Sequence, residues 1–147
     1  MKKPLPPTYF LVTLIVMLLL HFLAAIRHVV SFPANLFGLV PLGLGVFLNL
    51  AADRLFSTRR TTVRPFEEST HLVEEFPFSV TRNPMYLGMT LILLGGAILL
   101  GTLGALIPVV LFALIIDRVF IQAEERMLSR TFGSLWEDYC TRVRRWI

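Results

Sequence analysis

The chain has 147 residues, enough for one domain. It is 55% hydrophobic with a mean hydropathy of +0.70, too apolar for an ordinary soluble domain. A net charge of +4 and a pI of 9.8 do not mark a nucleic-acid binder: no basic, aromatic-interleaved soluble module is present, and membrane topology with attraction to anionic lipid accounts for the excess.

Residues 9–26 form the first apolar run, interrupted by His21. Met1-Lys2-Lys3 before it imitates a signal peptide, but the run is long and no small-residue cleavage pattern follows, so a retained span is expected. His21 is expected to be neutral and hydrogen-bonded to another helix. Residues 34–52 form a second run, with Asn35 and Asn49 as its strongly polar members and Pro41 as a candidate kink. Each run is close to the ~20 residues a spanning helix needs.

Residues 53–81 make one long polar connection, carrying Thr61-Thr62, Pro65, Pro77 and several charges. Loops of this length in compact domains are functional or disordered. Phe66, Leu72, Val73, Phe76 and Phe78 within it call for packing against something.

Residues 85–116 contain no charge. As one helix they would be roughly 48 Å long, too long for a ~30 Å hydrocarbon core. Gly101-Thr102-Leu103-Gly104 supplies a turn. Two helices are expected, over about 83–101 and 105–128, with Pro108 in the first turn of the second. Residues 124–146 read as helix with a break near Phe132-Gly133. Leu135, Trp136, Tyr139, Val143 and Trp146 are spaced like one helical face, which suits the membrane interface. The expected fold is all-α: a polytopic membrane protein of about four transmembrane helices, a single domain over 1–147, with two N-terminal spans (1–52) and a core (53–147) containing the hairpin.

Thirteen of the fourteen basic residues fall on one side of this layout, Arg27 being the exception. The positive-inside rule makes that side, and both termini, cytoplasmic.

At that surface two polar elements meet the hairpin. In Arg82-Asn83-Pro84-Met85-Tyr86, Asn83 and Pro84 are a helix-start signal. A helix N-terminus beside Arg82 suits a carboxylate or phosphate, and Tyr86 can stack or donate a hydrogen bond. A plain cap is the simpler reading. Glu124-Glu125 suits hydrogen bonds from ribose hydroxyls or attraction of a cationic sulfonium. A solvated acidic helix face is the simpler reading there. Asp117 and Arg118 sit where the fourth span meets the cytoplasm, and Arg118 can snorkel or meet an anionic group. Cys140 is the only cysteine, so no internal disulfide or multi-cysteine metal site exists. No Gly-rich phosphate loop, metal-ligand cluster or Ser/His/Asp pattern stands out, and no metal is expected.

Leu72-Val73, Phe78 and Arg82-Asn83-Pro84-Met85-Tyr86-Leu87-Gly88 form one block, and Glu124-Glu125, Leu128, Phe132-Gly133 and Tyr139 a second. Together they resemble the isoprenylcysteine carboxyl methyltransferase and phospholipid N-methyltransferase superfamily of integral membrane enzymes, over roughly residues 70–147. The resemblance implies an S-adenosylmethionine-dependent methyltransferase acting on a lipid-like or small hydrophobic acceptor, with a cofactor pocket on the cytoplasmic side. It implies that Thr70, His71, Leu72, Val73 and Phe78 line the pocket and that Asn83, Pro84, Met85 and Tyr86 form its floor. Glu124 would bind the cofactor with Glu125 close by, and Arg82 and Arg118 would meet the substrate's polar group. Three positions depart from the usual pattern. The histidine expected at Thr70 stands at His71, Phe76 replaces a glycine, and Trp136 replaces a tyrosine. A small four-helix transporter and a non-enzymatic membrane scaffold are the alternatives from other classes. A transporter needs an ionisable group within the membrane, and the first three spans offer only His21.

Overall fold

The computed structural model describes residues 5–23, 28–59 and 72–147. Among these the regular elements are all helical, as expected for an all-α polytopic membrane protein. Helix α1 spans Pro6–Leu23. A 3₁₀ turn, Ala34–Gly38, leads into α2, Leu39–Arg59. Then come α3, Pro84–Leu100, and α4, Leu103–Ile115. A π-helical stretch, Ile116–Ile121, joins α4 without a break to α5, Gln122–Phe132. Helix α6 is Ser134–Arg142. Segments Pro6–Leu23, Ala34–Thr58 and Leu103–Phe132 are each long and apolar enough to cross a membrane, and α3 is a shorter apolar helix.

The α3–α4 hairpin is central. Helix α2 packs along α3, and α1 lies against α4. Without a water-driven force between helices in lipid, small residues let backbones approach. Here the approach is close. A Cβ built on Gly95 would lie 2.5 Å from the Gly38 carbonyl oxygen, and one on Gly45 would lie 2.5 Å from that of Gly88. On the other flank Met17, Leu93, Ala97, Ala105, Val109, Phe112 and Phe120 form a buried core. Tyr9 meets Phe120 edge-on at 5.4 Å between ring centroids. Outward-facing Leu11, Ile15 and Leu19 of α1, Leu44 and Phe47 of α2, and Val110, Leu111 and Leu114 of α4 are exposed. In a membrane protein that surface belongs to lipid.

The hairpin turn is tighter than its sequence suggests. Gly101 ends α3 with φ +70°, a left-handed cap that glycine adopts without steric cost. Its carbonyl accepts from the N–H groups of Val29 and Val30 at 2.7 and 3.1 Å. His21 Nδ1 lies 3.1 Å from the buried Thr102 hydroxyl, a bond from α1 to the hairpin turn rather than to another helix. Asn35 donates to the Leu99 carbonyl at 3.0 Å, and Asn49 to that of Gly45 at 3.0 Å. Both asparagines of the second apolar run thus donate to backbone carbonyls.

Two expected boundaries shift, and the candidate kink falls at a helix start. Helix α4 begins two residues early, so Pro108 is its sixth residue and lies inside the helix. Pro41, the candidate kink, is the third residue of α2, which follows directly on the 3₁₀ turn, so it sits where the helix type changes. The last helix stops at Arg142, and Val143 is extended, with φ −124° and ψ 131°.

Gly95→Val is expected to destabilise the fold by about 1–3 kcal/mol through overpacking against α2. Gly43, with nothing within 4 Å of a built Cβ, provides the contrast: Gly43→Ala is expected to be neutral or stabilising by up to ~1 kcal/mol. Thermal unfolding of both variants in one detergent checks the pair.

Candidate active site

The two arms of the hairpin bring two distant blocks together although the arms differ in length. From Gly101 back to Tyr86 is roughly 23 Å of helix, and from Thr102 forward to Glu124 roughly 33 Å at 1.5 Å per residue. Helix rise alone would leave Glu124 about 10 Å beyond Tyr86, so their meeting depends on how the two arms pack and on the reach of both side chains. The Tyr86 hydroxyl donates to Glu124 Oε1 at 2.6 Å. A hydrogen bond to a carboxylate is among the stronger neutral-to-charged contacts. The Tyr86 ring also lies 6.4 Å from that of Phe120, which the π-helical stretch presents on the same side.

The two glutamates diverge. Glu125 is held by Arg145, whose Nε donates to Oε1 at 3.1 Å and whose Nη2 donates to Oε2 at 2.5 Å. Arg82 Nη2 approaches the same carboxylate at 3.4 Å. Arg145 Nη1 also reaches Asp117 Oδ1 at 3.4 Å, and Gln122 Nε2 donates to Asp117 Oδ2 at 3.3 Å. The bond to Glu125 raises the Arg145 pKa further above its ordinary value, so this guanidinium stays charged. Arg82 is nearly covered, at 14% side-chain exposure. It stacks over Trp136 at 5.7 Å, a cation–π contact, and its Nη1 meets Cys140 Sγ.

Asn83 occupies the cap position of α3, but its side chain does not cap the helix. Nδ2 donates instead to the Arg145 carbonyl at 3.0 Å. The wholly buried Thr81 hydroxyl donates to the same carbonyl at 3.1 Å and accepts from the Asn83 N–H at 3.2 Å. The Arg82 N–H donates to the Arg144 carbonyl at 3.0 Å. Pro84 is buried and Met85 half-buried. The loop before the turn docks on α6 and α2. Tyr139 donates to the Phe78 carbonyl at 2.7 Å, and burial pushes its phenol pKa up, keeping it a neutral donor. The Phe78 ring meets Phe56 edge-on at 5.3 Å. Leu72 packs on the buried Trp136, Tyr139 and Val143, and Val73 beside it is half-buried.

Thus Arg82, Asn83, Pro84, Tyr86, Glu124 and Glu125 come together, while Leu72 and Phe78 join through α6. Thr70 and His71 lie outside the described residues. Arg118 does not join: its side chain is 75% exposed and only 3.8 Å from its neighbour Asp117. The aromatic face of the last helix turns inward rather than toward headgroups, with Trp136 and Tyr139 buried and only Leu135 of that set largely exposed, at 62%. The charge that sequence spacing misses is Arg145, because the helix breaks at Gly133, φ +51°, and again after α6, where Val143 is extended. No fixed spacing relates it to Glu125.

Tyr86→Phe removes the donor and leaves Glu124 without its partner. The expected cost is about 1.5–3 kcal/mol, read as a lowered thermal midpoint in detergent, with Tyr9→Phe as the reference change outside the cluster.

The family profile of "Phospholipid methyltransferase" matches residues 34–134, more than half of the chain. An uncharacterized protein of Haemophilus influenzae is 40% identical over 63 residues, covering 43% of this chain and 100% of that protein. No solved structure matches the chain. The matched span contains both the Arg82–Tyr86 turn and the Glu124-Glu125 pair, which meet in space, and the chain belongs to the phospholipid methyltransferase family.

Proposed function

We propose that the protein transfers the methyl group of S-adenosylmethionine to a lipid-like or small hydrophobic acceptor at the membrane. The observation that carries this reading is the 2.6 Å contact of Tyr86 with Glu124. It joins the two sequence blocks of the family at the polar edge of an apolar hairpin.

The residues fit the cofactor by their chemistry. Among the described residues Glu124 accepts a hydrogen bond only from Tyr86, so its carboxylate retains lone pairs for a ribose diol. A carboxylate here also favours a sulfonium cation. When bound, S-adenosylmethionine supplies the activated methyl group. Tyr86 fixes the rotamer of Glu124. Asn83, Pro84 and Met85 form the floor, with Leu72, Val73 and Phe78 as apolar wall and Thr70 and His71 contributing from the adjoining segment. Glu125 lies close by and acts through its guanidinium partners. Arg82, held by Glu125 and Trp136, is the candidate for the acceptor's polar group, and the outward-facing Arg118 contacts lipid headgroups. Methyl transfer is an in-line displacement in which charge disperses, so alignment is the main lever. Exclusion of water by the apolar walls supports it.

Calorimetry on the protein in nanodiscs tests this. S-adenosylmethionine is expected to bind saturably. Glu124→Gln is expected to weaken binding by about ten-fold or more, the equivalent of one charge-assisted hydrogen bond, and Arg118→Ala to leave cofactor affinity within about two-fold, as expected of an exposed charge. No binding by the folded wild-type chain would favour a transporter or scaffold instead.

The positive-inside pattern supports a cytoplasmic site with both termini on the same side. In a Cys140→Ser background, Leu103→Cys is expected to react with an impermeant maleimide in intact cells. Asp138→Cys is expected to react only after permeabilisation, and the reverse pattern would invert the topology.

A further inference from the structure

We propose that Arg145 is a positioning residue of this site: its side chain and its carbonyl strap the Arg82–Tyr86 turn to the Glu124–Glu125 turn. The proposal rests on the cofactor reading above and adds a residue that the motif blocks do not contain.

The segment after α6 is anchored on both sides. Val143 is buried against Trp136 and Tyr139, and Trp146 packs on the transmembrane core. Between them the chain runs past the start of α3. Carbonyls of Arg144 and Arg145 take three hydrogen bonds there, from the Arg82 N–H, the Thr81 hydroxyl and Asn83 Nδ2, at 3.0, 3.1 and 3.0 Å. The Arg145 guanidinium meanwhile grips α5 through both oxygens of Glu125 and reaches the π-helical stretch at Asp117. One residue therefore touches both halves of the site with different atoms.

The chemistry favours arginine at this place. Its planar fork matches a carboxylate with two parallel N–H bonds, and a lysine ammonium does not. Release of the segment would leave the buried Thr81 and Asn83 side chains without their acceptor, a state costly enough to move the turn. Tyr86 lies one helical turn beyond Asn83, and Glu124 adjoins Glu125. A shift in either end is felt at the 2.6 Å contact between them. Small misplacements at a reacting centre carry large rate penalties.

The test uses Trp146 as a reporter of the strap. Trp136→Phe leaves Trp146 as the single tryptophan, since the chain has two; because Trp136 contacts Arg82 and Val143, Trp136→Phe alone is the reference for every emission and affinity change. In nanodiscs, Arg145→Gln in that background is expected to red-shift Trp146 emission. It is also expected to weaken S-adenosylmethionine binding by about ten-fold with unchanged helical content, the loss matching one charge-assisted contact. Arg145→Lys should restore only part of the affinity. Combining Arg145→Gln with Glu125→Gln should weaken binding by less than the sum of the two single losses, because the Arg145–Glu125 link is common to both, while Arg145–Asp117 and Glu125–Arg82 are not. Wild-type affinity in Arg145→Gln, with or without a shift in Trp146 emission, would overturn the positioning role. Additive losses in the double variant would overturn the Glu125 link. If the wild-type chain itself failed to bind, the cofactor reading would be overturned, and this role with it.

Discussion

The hydrocarbon slab sets the terms for everything else. From Pro84 to Ile116 the chain carries no charge, and a charge placed there would cost about 3 kcal/mol or more. The charged groups bound to this hairpin must therefore gather where its arms leave the slab. Arg82 stands just before α3, and Asp117, Glu124 and Glu125 lie on the later part of the long helix. That they meet is decided by packing: the arms differ by about 10 Å in rise, and the Tyr86 and Glu124 side chains close on each other at 2.6 Å.

Close approach of α2 and α3 matters for the same reason. Where lipid replaces water, helices gain little by hiding apolar surface, and contact distance decides. Glycines at 38, 45, 88 and 95 remove the side chains that would hold the backbones apart. The tight pair fixes the height of α3, and through Phe56 and Phe78 it also fixes the loop that approaches the site. The π-helical stretch has a parallel role on the other arm. Its wider turn rotates the helix beyond it, and such stretches recur at functional sites. Here the stretch holds Asp117 and Phe120 and precedes the turn on which Glu124 faces α3 while Glu125 faces the segment after α6.

Adjacent glutamates with separate partners show how little residue type alone says about role. Glu124 is met by a neutral phenol, whereas Glu125 is engaged by two guanidinium groups. The first retains acceptor capacity among the described residues, and the second is largely committed to holding the chain together. Arg82 and Arg118 divide likewise: one is stacked and paired at 14% exposure, the other stands at 75%.

Much of this was legible in the sequence by itself: the helical class, the long apolar helices, the turn at 101–104, and the pairing of the Arg82–Tyr86 block with Glu124. Hydrophobic run length and charge placement are strong local signals, because the bilayer penalises error at each residue separately. Tertiary structure alone decided which carboxylate faces Tyr86, that Asn83 bonds a distant carbonyl instead of capping its own helix, that the aromatic face of α6 turns inward, and that Arg145 enters the cluster. The first depends on the phase of the long helix beyond its π-helical stretch, and the others on two helix breaks, at Gly133 and after Arg142, whose outcome is set by packing of Trp136, Tyr139 and Val143 against Leu72 and by the Tyr139–Phe78 bond rather than by any periodicity in the sequence.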